Sequence, residues 1–301
     1  MPVLLVLNGA TASGKSALAV RLAQRLSAVG RPAEIVNADS MLVYRGMDIG
    51  TAKPSPTERG GIVHHLIDVL NVTDTANVAG FQQLARAAIA DCRARGVVPI
   101  LVGGSALYVH AIVDAFDFPG TDPAVRARLE DELQQHGVDV LYRRLTEVAP
   151  AAVGAIEPGN GRRIVRALEV IELTGSWTPN LPQWSYALPR VVQFGLDLPR
   201  EVLDERILAR VQRMWADGLL AEVRTLERQG LRSGLTASRA LGYRQALAEL
   251  DGEVTTEQAM EQTAAATRRF ARKQLSWFRR DPRIQWLQAD DPDTVQRLAD
   301  A

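Results

Sequence analysis

A short run of branched apolar residues, Val3-Leu4-Leu5-Val6-Leu7, opens directly into Asn8-Gly9-Ala10-Thr11-Ala12-Ser13-Gly14-Lys15-Ser16. The first part reads as a buried parallel strand. Residues Gly9, Ala10, Thr11, Ala12, Ser13, Gly14, Lys15 and Ser16 fill every position of the Walker A pattern. Glycines in such a loop let successive backbone N–H groups converge on phosphate oxygens, and the helix that follows adds its positive dipole end. A lysine then supplies a point charge and a hydroxyl can ligate Mg²⁺. Strand, loop and helix occur here in the required order, since Leu18, Leu22 and Leu26 continue at helical spacing until Gly30.

The pattern repeats along the chain. Ala33–Asn37, His65–Leu70 and Val97–Val102 read as further strands, with a helix over Phe81–Arg95 between the last two. Strands alternating with helices predict a P-loop NTPase-like α/β fold, with a parallel sheet covered by helices. The pattern changes after Phe118-Pro119-Gly120. Asp122-Pro123 makes a cap and first-turn pair, and the chain stays almost wholly helical to Thr174, where Gly175 and a proline-bearing loop to Pro189 follow. Val191–Leu198 returns to strand character, and the remainder reads as helical. The expected organisation is a catalytic core of residues 1–116 and 190–301, interrupted by an all-helical insertion at 117–189.

Lys+Arg and Asp+Glu both number 35, so net charge points to no polyanionic partner. Arginine is the ordinary cation of this chain, and the only lysines are Lys15, Lys53 and Lys273. Cys92 is the sole cysteine, expected to face the core, and neither a disulfide nor a Cys-based zinc site is expected from it. No apolar run is long enough to cross a membrane, and no signal-peptide pattern opens the chain, which predicts a cytoplasmic protein.

The phosphate loop leaves the reaction open among ATPases, small-molecule kinases and other phosphate-handling transferases. The second strand narrows it by ending in Asn37-Ala38-Asp39-Ser40, which places Asp39 at the active edge of the sheet. From position alone, Asp39 suits a cap or a Mg²⁺ partner as well as a catalytic base. The run Met41–Pro54 has neither helical nor strand periodicity, and a long irregular loop at that edge is usually functional.

Here the sequence resembles the tRNA dimethylallyltransferases. The matching segments are GATASGKS (9–16), NADSMLVYRGMDIGTAKP (37–54), HHLIDV (64–69), VGGSALYVHA (102–111), RRIVRALEV (162–170), RALGYRQ (239–245) and RRFARKQLSWFR (268–279). They stand in family order and cover nearly the whole chain. The resemblance implies a dimethylallyl group passing from dimethylallyl diphosphate to N6 of an adenine beside the anticodon of tRNA. Free AMP or ATP is the alternative acceptor, and a kinase reaction the alternative chemistry. It implies further that the loop holds the diphosphate with Arg210, that Mg²⁺ sits near Ser16, and that Asp39 is the base. Ser105, where the family usually has threonine, helps fix the amine.

For the tRNA anticodon stem-loop the resemblance implies contacts by Asp39, Ser40, Met41, Leu42, Ser105, Arg126, Arg162, Arg163, Ile164, Val165, Arg166, Arg239, Ala240, Leu241, Gly242, Tyr243 and Arg244. Gly242 is expected to permit close backbone approach, and the insertion to act as a clamp on the RNA. A monomer is expected. The arginine-rich run from Arg268 to Arg283 is expected to expose its cations and send its aromatics, Trp277 and Phe278, into the core. His64 and His65 are expected to be structural.

Overall fold

The computed structural model describes residues 1–116, 118–178 and 184–300. Its elements run β1 (Leu4–Gly9), α1 (Lys15–Ala28), β2 (Ala33–Asn37), β3 (His64–His65), α2 (Val78–Ala94), β4 (Val98–Gly103) and α3 (Ala106–Val113). The helices α4 (Pro123–His136), α5 (Val138–Val148) and α6 (Gly161–Thr174) follow, then β5 (Val191–Asp197), α7 (Arg200–Ala216), α8 (Leu219–Arg228), α9 (Tyr243–Leu250), α10 (Thr256–Phe278), β6 (Ile284–Gln288) and α11 (Thr294–Ala299).

The strands form one sheet in the order β3-β2-β4-β1-β5-β6, parallel throughout. β1 and β4 are buried along their whole length, which explains their unbroken apolar runs. One core cluster, including Leu4, Val6, Val36 and Leu101, lies on one face of the sheet. A second, including Leu5, Leu7, Ile35 and Ile100, lies on the other, as the period-2 alternation of the strands requires. The sheet order makes β2, β4 and β1 neighbours, so the loops leaving their C-terminal ends are also neighbours: Asn37–Met41, Gly103–Ser105 and Gly9–Ser16.

Two expectations about strands are corrected. Of the 65–70 run only His65 joins the sheet, the strand being His64–His65 against Ile35 and Val36. Leu66 and Asp68 then take positive φ, of 63° and 58°, which breaks the extended run. Past them the chain pairs instead with the irregular loop, Val69 N–H donating to the Val43 carbonyl at 2.8 Å and Arg45 N–H to the Leu70 carbonyl at 2.9 Å. The C-terminal region is not wholly helical either. Ile284–Gln288 adds an edge strand on β5, with Gln193 opposite Ile284 and Asp197 opposite Gln288.

The chain divides into two compact units, residues 1–114 with 186–301, and residues 115–185. Part of the proline-bearing loop, residues 179–183, lies outside the described residues. The smaller unit has its own core, built from Leu129, Leu141, Leu145, Ile164, Val165 and Leu168. Asp122 caps α4 as its position predicts, Oδ1 accepting from Ala124 N–H at 2.8 Å and Val125 N–H at 3.2 Å. Asn160 caps α6 through Oδ1, which accepts from Arg163 N–H at 3.2 Å.

Glu169 is fully buried in this unit, with Arg126 and Arg166 both paired to it. Burial alone would push its carboxyl up, but the hydrogen bonds from Arg166 and Arg126 prevail and hold it below the usual range. Removing one partner of a buried ion pair leaves uncompensated charge, so Glu169→Gln is expected to destabilise the fold by about 3–5 kcal/mol. The depressed carboxyl contributes stability above its unfolded pKa, and that stability is lost as pH falls through the folded value. Urea unfolding at neutral and acidic pH checks both, the difference between variant and wild type narrowing in acid.

Candidate active site

The three neighbouring loops open onto a cleft of about 980 Å³ whose lining includes Thr11, Lys15, Ser16, Asp39, Arg210 and Gln274. The phosphate loop keeps several polar groups ready for an anion. Ser13 is buried and its hydroxyl has no hydrogen-bond partner among the described residues. Lys15 donates to the loop's own Ala10 carbonyl at 2.6 Å. Arg210, from α7, donates through Nη1 to the Thr11 hydroxyl at 3.2 Å.

Burial lowers the Lys15 ammonium to about 8, with Asp39 opposing that shift and Arg210 reinforcing it. Burial and the neighbouring Arg213 lower Arg210 too, and Asp39 again opposes. Cations gathered at one end of a cleft, with one nearby carboxylate, form a site that is short of negative charge. A phosphate or diphosphate is the kind of anion that would supply it.

Asp39 sits half-buried past the end of β2, where the Asn37 side chain fixes the turn. Its Oδ1 accepts from Met41 N–H at 2.9 Å, while Oδ2 has no partner among the described residues and stays available to a substrate. Leu42 also lines the cleft. Ser40, Met41 and Leu42 are half-buried. Ser105 is half-buried at the start of α3 and makes no capping bond to that helix; its predecessor Gly104 lines the cleft, and Ser105 itself does not.

The irregular loop after Asp39 is rigidly tied down by two residues that sequence reasoning did not single out for this task. Lys53 donates to the Tyr44 carbonyl at 2.7 Å, to Asp48 at 2.6 Å and to Asp68 at 2.5 Å. Glu222, from α8, accepts from the N–H groups of Asp48, Ile49 and Gly50 at 3.0, 2.7 and 3.4 Å. The same carboxylate accepts from the Tyr243 hydroxyl at 2.5 Å. Burial first, and Glu222 second, keep that phenol well above its ordinary pKa, so it remains a donor.

The segment 239–244 is thereby joined to the loop, but largely from inside. Ala240 and Tyr243 are buried, Leu241 is half-buried, and only Arg239 and Arg244 are exposed. The Gly242 N–H donates to the Gln245 side chain at 3.0 Å, and a Cβ there would meet no protein atom closer than 3.9 Å, so within the chain it is the φ of 87° that favours glycine. In the smaller unit, Ile164 and Val165 point into the core, which leaves Arg162 and Arg163 as the exposed part of that segment. Arg126 and Arg166 are half-buried and engaged with Glu169, Arg166 also donating to the carbonyls of Pro119 at 2.7 Å and Gly120 at 3.1 Å.

A profile of the family described as IPP transferase matches residues 42–281. The chain belongs to the IPP transferase family. Relatives of this IPP transferase include the tRNA dimethylallyltransferase of Thermobifida fusca, 60% identical over 99% of this chain and 93% of that protein. The tRNA dimethylallyltransferase of Kineococcus radiotolerans is 61% identical over 98% and 94%. Among solved structures, the tRNA isopentenylpyrophosphate transferase of Bacillus halodurans matches with TM-score 0.71 and 38% identity, covering all of this chain and 94% of that one. A eukaryotic dimethylallyltransferase acting on tRNA matches with TM-score 0.81 and 26% identity, over all of this chain and 77% of that one. As an IPP transferase the chain is a prenyl-transferring enzyme.

The basic run of this IPP transferase differs from expectation in two respects. Arg268 and Arg283 are half-buried, Arg283 being paired with the buried Asp114 and with Asp281, and not all of its aromatics enter the core. Phe278 is buried, but Trp277 is 37% exposed and Phe270 44% exposed. Arg269, Arg272, Lys273 and Arg280 are exposed on the same stretch, and Arg280 lies over the Trp277 ring at 5.5 Å.

Cys92 faces the core as expected, yet its sulfur meets Glu34 at 3.5 Å and His65 Nε2 at 3.7 Å, so three possible metal ligands, Cys92 among them, lie together. Arg95 holds that place as an ion-pair partner, donating to both Glu34 oxygens at 2.7 Å. Burial and Glu34 push the Cys92 thiol up to about 12, leaving it protonated at neutral pH. His65 is thus hydrogen-bonded to Glu34, the carboxylate that Arg95 pairs with. No helix among the described residues is long and apolar enough to cross a membrane.

Proposed function

We propose that this enzyme transfers a dimethylallyl group from dimethylallyl diphosphate to N6 of an adenine adjacent to the anticodon in tRNA, in the cytoplasm. The observation that carries the reading is the pairing, in one cleft, of an anion-hungry phosphate loop with a carboxylate that keeps one oxygen free. In the reaction, the N6 lone pair attacks C1 of the dimethylallyl group as the C1–O bond breaks, its electron pair leaving on diphosphate. Asp39 accepts the proton lost from N6, which turns a poor amine nucleophile into a competent one. Lys15 and Arg210 neutralise the charge that grows on the departing oxygen. Ser105, which follows the cleft-lining Gly104 and makes no capping bond to α3, would orient the amine.

Residues at the loop suit Mg²⁺: Ser16 is exposed on the first turn of α1, lines the cleft, and offers the hard oxygen this ion prefers. Bound there with diphosphate, Mg²⁺ would lower the charge cost of the leaving group. An adenine in an anticodon loop must leave its stack to reach the cleft. Arg162, Arg163, Arg239 and Arg244 are exposed cations that would hold the surrounding RNA. The exposed basic and aromatic side chains of α10 add a face of the kind that grips phosphates and stacks bases.

Incubation with radiolabelled dimethylallyl diphosphate tests the reading, with tRNA, AMP and ATP as separate second substrates. Label entering tRNA alone supports it. Label in AMP would mark an adenylate-modifying enzyme, and hydrolysis or transfer from ATP with no prenyl transfer would mark a kinase. Reversing charge on α10, with Lys273→Glu and Arg280→Glu together, is expected to weaken tRNA binding by about tenfold or more at moderate salt. Titrations at several salt concentrations should show a salt slope shallower by about two, while the KM for dimethylallyl diphosphate stays unchanged.

A further inference from the structure

Gln274, on α10, is buried at 6% exposure, yet it lines the cleft. Its Oε1 accepts from Thr11 N–H at 2.9 Å, and its Nε2 donates to the Gly104 carbonyl at 2.8 Å. These partners lie at the two ends of the proposed chemistry. Thr11 belongs to the diphosphate loop, and its hydroxyl already receives Arg210. Gly104 immediately precedes Ser105 at the turn between β4 and α3.

The placement has a structural reason. The β1–β4 register ends at Asn8 opposite Gly103. Beyond that point the two chains turn apart into their loops, and a primary amide, which donates and accepts as a peptide group does, supplies the next cross-link. The fit at Gly104 is close: a Cβ there would stand 2.5 Å from Gln274 Nε2 and 3.3 Å from the Gly9 carbonyl. A buried amide satisfied at both ends holds its neighbours far more rigidly than an apolar side chain of the same size, and costs free energy if either end is left unmet.

We infer that Gln274 is a positioning residue that sets the distance between the leaving diphosphate and the acceptor amine, by clamping the phosphate loop to the turn that carries Ser105. The inference rests on the prenyl-transfer reading of the cleft. Displacement chemistry is sensitive to this distance, a misplacement of about 1 Å costing about 10²-fold in rate.

The test is steady-state transfer to tRNA by Gln274→Ala, Gln274→Leu and Gln274→Glu, with thermal unfolding of each variant followed in parallel. The alanine and leucine variants are expected to lose about 10- to 100-fold in kcat, with the KM for tRNA nearly unchanged. Gln274→Glu separates the two bonds. Its ionised carboxylate keeps the acceptor for Thr11 but repels the Gly104 carbonyl, whereas its protonated form restores both bonds. The ratio of its kcat to that of wild type should therefore rise at least fivefold as pH is lowered from about 8 to about 6.

Gly104→Ala displaces the same amide from the opposite side and should show a comparable loss in kcat; it decides the matter if the Gln274 variants do not fold. Gln274→Leu or Gly104→Ala within twofold of wild type would overturn the inference, as would a pH-independent ratio for Gln274→Glu. Wild-type protein that transfers no prenyl group to tRNA would instead remove the functional reading itself.

Discussion

Asp39→Ala is expected to lower kcat for prenyl transfer by about 10²–10⁴-fold, the range over which a positioned general base contributes, with tRNA binding staying close to wild type. The argument rests on how Asp39 is held. One oxygen is fixed by the Met41 amide and the turn is braced by Asn37, so the other oxygen is presented at the cleft without a protein partner. Losing the carboxylate removes the proton acceptor but leaves the loop anchored by Lys53 and Glu222. Asp39→Asn is the sharper variant, since it preserves the turn and removes only the base. Single-turnover rates with preformed enzyme–tRNA complex separate the chemical step from binding; turnover near wild type in either variant would remove Asp39 from the base role.

Lys15→Ala should be nearly as damaging, with kcat/KM for dimethylallyl diphosphate falling by about 10²–10³-fold, as when one donor to a developing oxyanion is removed. The native lysine also makes a pH prediction. Burial lowers its ammonium to about 8, outweighing the opposing pull of Asp39. Binding a diphosphate reverses the cause, so the bound lysine regains its proton. Above pH 8 binding must therefore take up a proton, and affinity should fall by up to about tenfold per pH unit. Calorimetry in buffers of different ionisation enthalpy reads that uptake directly. For folding the sign is opposite to that of a stabilised lysine. The unfolded chain binds this proton more tightly, so the burial penalty is full below about 8 and is relieved as pH rises toward the unfolded value.

Glu169 shows the limit of reading arginines one by one. Arg126 and Arg166 look like surface cations in a helical segment, but each is committed to a carboxylate within the smaller unit's core. Arg162 and Arg163, adjacent in sequence to the buried Ile164 and Val165, are the ones left at the surface. Helical spacing distinguishes these faces only when the location of the core is known. Trp277 is a similar case: it stands beside Phe278, and α10 carries arginines on several faces, so composition gave no sign of which ring points outward.

Short-range chemistry was plain in consecutive residues. The phosphate loop, its strand and its helix occupy one unbroken stretch, because a nest for phosphate is built from successive backbone amides of one loop. Asp39 and the irregular run behind it were legible for a related reason: the end of a parallel strand fixes where a side chain emerges, and the absence of any period marks a loop. The family segments added the substrate. Strand ends were less certain, since the apolar run after His65 looks extended until two left-handed residues bend it away, and Ile284–Gln288 is a half-exposed edge strand whose apolar residues are interrupted by Gln285 just after the arginine run.

What folding alone supplied are the ties between distant residues. Glu222 reaches back 174 positions to Asp48, and Gln274 lies 263 positions from Thr11 and 170 from Gly104. A glutamine or a glutamate carries no pattern that announces such a partner, because its role depends on which backbone groups the finished sheet leaves unpaired. The phosphate loop was therefore readable as an anion site from eight consecutive residues, whereas the clamp that sets its distance from the acceptor exists only once α10 has packed across the ends of β1 and β4.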